Sequence, residues 1–221
     1  MNARLIKWTK WLKVIHDDIQ SLLINRNIFW EVQKIIRNNK DIQKPSSFYQ
    51  YLGDTYVAYS AIAIRRQIKH DNQSISFARL LSEIMEDPIP LSRTYFKSLY
   101  VGSVVETFAD RDFDKFTGAN KDHICPRMVR NDLEALKLQA KKIEDFADKR
   151  IAHHDKKQPK SLPTFSEVDD CINRLDQLYV KYHLVFHASS MISLMPVYQY
   201  DWKAIFQMPW LLKRNLKYGR I

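Results

Sequence analysis

The chain has 221 residues, 45% of them hydrophobic and 12% aromatic, enough for one sizeable core. Four glycines and eight prolines are too few for a sandwich or barrel, which needs turn residues every ~8 to 12 positions, and no glycine-rich phosphate loop is present. The formal charge of +10, from 35 Lys and Arg against 25 Asp and Glu, predicts attraction to RNA, DNA or an anionic membrane surface without choosing among them.

These counts favour an all-α chain, a single helical domain with decorations. Cys125 and Cys171 lie far apart and match no metal or redox spacing, so they read as reduced thiols of a cytoplasmic protein. Lys7, Lys10 and Lys13 interrupt the N-terminal apolar residues, which excludes a signal-peptide core. No run approaches the ~20 apolar residues of a spanning helix.

From Leu5 to about Arg37, apolar residues at helical spacing predict one long helix, or two broken near Ile24–Asn27. Pro45-Ser46-Ser47 punctuates the chain, and a second helix is expected from Phe48 to about Ile68, with Tyr51, Leu52, Thr55, Tyr59, Ile62 and Arg66 on one side. A third starts at Ser74 or Ser76 and stops before Asp87-Pro88. Leu91 to Phe108 is read as helical and Asp110 to His123 as a loop.

Pro126 suits the first turn of a helix of about 28 residues reaching His154, whose apolar stripe is Val129, Leu133, Leu136, Ala140, Ile143, Ala147 and Ile151. KKQPKSLP is a linker. Thr164 and Glu167 form a capping box that opens a last long helix to about Met195. The end of the chain, 196–221, is an aromatic and basic extension.

The stretch DKRIAHHD, Asp148 to Asp155, closes the helix that begins at Pro126 and carries the chemistry. Arg150 has His153 and His154 at i+3 and i+4, both within reach on a helix. An imidazole exchanges protons at neutral pH and a guanidinium grips phosphate with two parallel hydrogen bonds. Together they supply a base for the RNA 2′-hydroxyl, a cation for the phosphate and an acid for the leaving oxygen. The same residues also suit a hydrogen-bonded helix-end histidine and cations favoured by the helix dipole.

The pattern hydrophobic-Ala-His, then Asp and a loop after a long helix, resembles the HEPN superfamily, and the whole chain is similar to its AbiU2-like branch. The stretch AIAIRRQIKHDNQSISFARLLSEI, Ala61 to Ile84, contributes to the resemblance, which spans about residues 10 to 190. It implies a helical, dimeric bundle and a metal-independent ribonuclease of prokaryotic phage defence or a toxin–antitoxin system, with no cofactor. RNA is the implied substrate, a nucleotidyltransferase-type antitoxin the natural partner by analogy, and no membrane is involved.

By the same resemblance, each subunit contributes an Arg followed a few residues later by a His. Matching Ala152-His153 to the family's Ala-His puts Asp148 where the family has its arginine and Lys149 at the polar position. Either Arg150 substitutes from the next turn, or this chain has lost or changed the nuclease activity. The expected catalytic set is Arg150, His153 and His154, with Lys149, Lys156, Lys157, Arg65 and Arg66 guiding nucleic acid. The rival expectation is a non-catalytic HEPN-like module that binds a partner protein, a nucleotide or nucleic acid.

His183 and His187, at i and i+4 on the last long helix, permit a shared metal ion, but no third ligand is evident and they equally read as packing or interface residues with Tyr179. Trp8, Trp11, Trp202, Phe206 and Trp210 either bind a membrane surface or nucleic acid, or pack the two ends on each other or on a partner chain. Lys69 and His70 can extend the surface of Arg65 and Arg66, or simply complement a helix C-terminus.

Overall fold

A computed structural model describes residues 2–119, 121–152, 159 and 161–210. It is an all-α bundle: α1 (Ala3–Asn38), α2 (Ser47–Ile68), α3 (Phe77–Glu86), α4 (Arg93–Ser98), α5 (Ala109–Thr117), α6 (Pro126–Phe146) and α7 (Phe165–His187), with no strand among the described residues. α6 is the central helix, packed against α2, α3 and α7, while α1 closes the bundle against α2, α3 and α7.

α1 is a single helix of 36 residues, started by the Asn2 side chain accepting the Arg4 backbone N–H at 2.8 Å. It does not break at Ile24–Asn27 because each polar residue there is used without disturbing the backbone ladder. Asn25 donates to the Ser21 carbonyl at 2.8 Å, Arg26 reaches Asn173 on α7 at 2.6 Å, and Asn27 donates to the Tyr198 hydroxyl at 3.2 Å. The buried face, Leu5, Trp8, Leu12, Ile15, Ile19, Leu22 and Leu23, returns every three or four residues. The Trp8 indole is fully buried, and its N–H donates to Glu83 on α3 at 2.7 Å.

α2 turns a different side to the core from the one the large residues suggest. Tyr56, Ser60, Ala61, Ala63, Ile64, Gln67 and Ile68 are buried, while Tyr51, Thr55, Tyr59 and Arg66 are exposed. Small side chains let the neighbouring helices come close, and Gln67 is buried with both ends satisfied: it donates to Asp18 on α1 at 2.7 Å and accepts the Phe77 N–H at 3.1 Å. Ser76 is the N-cap of α3, accepting the Arg79 N–H at 3.1 Å.

The segment 91–123 reverses the sequence reading. In the part read as a helix only Arg93–Ser98 is α-helical, with a 3-10 turn at Glu106–Phe108, since Gly102 turns the chain at φ 77° and Val101 and Val104 are exposed. The part read as a loop contains α5, whose charged residues obscure a buried set at helical spacing: Ala109, Phe113, Phe116 and Thr117. Arg93 ties the two together, pairing with Asp110 at 3.1 Å and Asp114 at 2.6 Å and lying over the Phe113 ring.

α6 begins at Pro126 and buries Val129, Leu133, Leu136, Ala140 and Ile143 as the stripe predicts. Its α-helical part ends at Phe146, shorter than expected, and gives way to a π-helical turn over Ala147–Ala152. α7 opens on the expected capping box: the Thr164 hydroxyl accepts the Glu167 N–H at 3.2 Å, and the Glu167 carboxylate accepts the Thr164 N–H at 2.7 Å. It ends at His187 rather than near Met195, because Ala188 takes a left-handed conformation at φ 50°.

The two aromatic sets at the chain ends have separate neighbours. Trp11 lies under Lys7 and Arg79, whereas Trp202 meets Phe206 edge to face, Phe206 stacks on Trp210, and the two ends of this series reach Tyr198 and Phe48. Lys203 holds the tail to Glu31 on the second half of α1. Cys125 and Cys171 are free thiols, and burial pushes the Cys171 thiol up to about 12, far from the reactive range.

Candidate functional site at the end of α6

The antiparallel run of α2 against α6 brings two pairs of opposite charge face to face. Arg65 and Lys69 stand one turn apart on α2, while Glu144 and Asp148 stand one turn apart on α6 and the turn that follows it. The Arg65 guanidinium Nε donates to Asp148 Oδ1. Lys69 Nζ lies 2.8 Å from Glu144 Oε1 and 3.4 Å from Asp148 Oδ2. The first residue of DKRIAHHD is thus held by an arginine from another helix.

Burial alone would push the Asp148 carboxyl up, but Arg65 and Lys69 outweigh it and hold it below the usual carboxylate range. Lys69 is held above its ordinary value chiefly by its hydrogen bond to Glu144. Just outside this ladder, Lys149 approaches Asp145 at 3.8 Å, and Arg150 is exposed with no ion pair among the described residues. Ala147 is fully buried beneath the turn, and Ile151 is half-buried against the core. π-Helical turns within longer helices are frequent at functional sites.

Two openings flank the turn. One, of about 520 Å³, is lined by Ile68 and the exposed Leu138, with Lys69, His70, Lys137 and Lys141 beside Glu134, Glu144 and Asp145. The other, of about 480 Å³, lies between α2 and the start of α7, with Phe146, Ile151, Leu162 and Phe165 in its wall. The first is a mixed-charge groove in which three lysines face three carboxylates, the second a largely apolar slot.

Arg65 and Arg66, expected on one surface, are separated by the helix: Arg65 faces α6, whereas Arg66 pairs with Asp18 on α1 at 3.1 Å. Adjacent helical residues lie about 100° apart around the axis, so only one of them can join the turn. Of the expected catalytic set, Arg150 is described and exposed, and Lys149 is half-buried beside it. His153, His154, Lys156 and Lys157 lie outside the described residues. Glu144 is the site member that sequence reasoning missed. Its signal was present as two acidic residues four apart that match two basic residues four apart on another helix.

A second group of histidines gathers elsewhere. A cleft of about 440 Å³ between α1 and α7 is lined by Lys10, Lys13, His16 and Asp17 on one side and by Tyr179, His183 and His187 on the other. His183 and His187 are 4.7 Å apart between ring centroids. Among the described residues, no three His, Cys, Asp or Glu side chains converge as a metal ion requires.

No helix of the described residues is long and apolar enough to cross a membrane. No family model, curated protein or solved structure matches this chain.

Proposed function

We propose that this chain is a HEPN-type protein of prokaryotic defence that binds RNA across the α2–α6 end of the bundle and cuts it without a metal ion, as one half of a two-fold dimer. The observation that carries this reading is the Arg65–Asp148 pair. The resemblance asks for an arginine at the position of Asp148, and an arginine from α2 sits against that residue instead. The excess of Lys and Arg over Asp and Glu supports a polyanionic partner.

In this mechanism His153 takes the proton from the RNA 2′-hydroxyl as that oxygen attacks phosphorus. Arg150, exposed at the last turn, clamps the phosphate oxygens and offsets the growing negative charge. His154, or a histidine of the second copy, returns a proton to the departing 5′-oxygen, leaving a cyclic phosphate and a free hydroxyl. Lys149, Lys156 and Lys157 attract the RNA backbone. Arg65 and Lys69 act as positioning residues, holding Asp148 and with it the turn that presents Arg150.

A second reading is favoured by the same ion pairs. Because Arg65 and Lys69 are already matched by carboxylates, the α2–α6 end also fits a non-catalytic HEPN-like module that binds a partner protein or a nucleotide. RNA cleavage in EDTA by the full chain and by His153→Ala, with circular dichroism on both, separates the two readings. Cleavage that falls by at least ~100-fold in a folded variant supports the nuclease. A wild type that cuts no RNA, or a monomer in light scattering, overturns the composite site in favour of the binding module.

A further inference from the structure

The cleft between α1 and α7 belongs to none of this. Its floor is Tyr179, buried except for an edge, and its α7 wall continues through His183 and His187 in a stack of tilted rings: Tyr179 to His183 at 5.9 Å between centroids, then His183 to His187 at 4.7 Å. His16 on α1 meets Tyr179 edge to face at 5.6 Å. The walls are mainly apolar ring surface, and Lys10 and Lys13 are exposed on the α1 rim. Neither lysine has an ion-pair partner among the described residues, although Asp17 is near.

The ring nitrogens are oriented rather than random. His183 Nδ1 is 3.0 Å from the Ser189 carbonyl and His16 Nδ1 is 2.8 Å from Asp17 Oδ1, which leaves Nε2 of both rings without a partner among the described residues. A wall of aromatic rings, imidazole nitrogens without a partner among the described residues and two lysines on one rim are the elements that recognise a base joined to a phosphate: a ring packs on the base and the cations take the anion. A bare anion would gain nothing from the ring wall, and an uncharged base nothing from the lysines.

We propose that the α1–α7 cleft binds a nucleotide, its base packed against the accessible His183 and His187 rings above the Tyr179 edge and its phosphate held by Lys10 and Lys13 with an imidazolium from the cleft. This site is separate from the turn at the end of α6 and stands whether or not the chain cuts RNA.

The charged and titratable groups around the cleft determine how binding depends on pH. From α1 these are Lys10, Lys13, His16 and Asp17; from α7 they are Tyr179, His183 and His187. Burial, with the neighbouring His183 ring, holds the His187 imidazole below its ordinary value, so the empty cleft keeps that ring neutral near pH 7. A phosphate placed beside it stabilises the protonated form, so binding takes up a proton and tightens as pH falls. Tyr179, raised to about 12 chiefly by burial and then by Asp17, stays protonated throughout and adds no charge of its own.

The test is calorimetric titration of the full chain with adenosine monophosphate at pH 6 and pH 8, with adenosine and inorganic phosphate as separate probes. One saturable site for the monophosphate, at least ten-fold tighter at pH 6, is expected. Lys13→Gln and His187→Gln, both at exposed positions that should leave the fold intact, should each weaken binding at pH 6 by about ten-fold. Imidazole resonances followed by NMR give a second readout, in which those of His183 and His187 move on saturation. The proposal is overturned if the monophosphate does not bind at pH 6, if adenosine or phosphate alone binds as tightly, or if affinity survives both substitutions.

Discussion

At the end of α6, Arg65 and Lys69 each lie against a carboxylate, whereas Lys10 and Lys13 beside the α1–α7 cleft have no such partner among the described residues. The first arrangement uses cations to hold a piece of backbone in place. The second leaves cations on the rim of a cavity, where an anion from outside is the natural partner. The net charge of +10 does not distinguish the two, because it does not say which cations are matched by an acid and which are left over. The difference lies in whether each cation has an internal acid one helix away.

The largest effect should come from beneath the turn. Ile143 is fully buried one turn before Ala147, and Ile143→Ala should cost about 3 kcal/mol in urea unfolding through lost burial and the cavity left behind. If instead Ile143→Ala proved milder than loss of the ion pair above it, the turn would be held by charge and not by packing.

Asp148→Ala should cost about 1 kcal/mol. The Arg65 and Asp148 side chains remain 32% and 34% exposed, so solvent screens their attraction, and Lys69 keeps Glu144 in the variant. A double-mutant cycle with Arg65→Ala should return a coupling of about 0.5–1 kcal/mol, reduced by added salt. Zero coupling would remove the argument that Arg65 positions this turn. The pH sign follows from the same pair: Asp148 titrates lower in the folded chain than unfolded, where the carboxyl is near ~3.9. Its stabilising contribution is therefore complete above that value and lost as the pH falls through the folded value. Asp148→Asn should flatten that acid limb.

Much of the bundle could be read from the chain because apolar spacing and caps are local signals. The α6 stripe from Val129 to Ala147, the Ser76 cap and the Thr164–Glu167 box all stand where the residues put them. Segment 91–123 was misread because its charges surround a helix of only nine residues, while valines that look like core point to solvent. The continuity of α1 through Asn25, Arg26 and Asn27 rests on partners on α7 and the C-terminal segment, which no local pattern contains. The sites divide the same way. DKRIAHHD is contiguous and could be singled out, but the arginine that holds Asp148 comes from α2, and the His16 side of the cleft comes from α1. Both depend on helix register, which sequence periodicity leaves open.

The smallest effect is also the one that separates the two regions by pH. An unfolded histidine titrates near ~6.5, and His187 does so at a lower value in the folded chain. Above that range the ring is neutral in both states and the fold loses nothing. As the pH falls through ~6.5 the unfolded chain takes up the proton first, so stability declines until the folded value is passed. His187 is exposed enough for solvent to limit this decline to less than about 0.5 kcal/mol. Unfolding midpoints of the wild type and His187→Gln between pH 8 and pH 5 should diverge there by that small amount, with the variant showing the shallower slope. A bound nucleotide should reverse the wild-type slope, since the phosphate then favours the protonated ring in the folded state. Asp148→Asn should change nothing in this range, because its own window lies lower. If Asp148→Asn altered the slope between pH 6.5 and 5, the two regions would be electrostatically coupled, and the separation between a self-matched turn and an open cleft would fail.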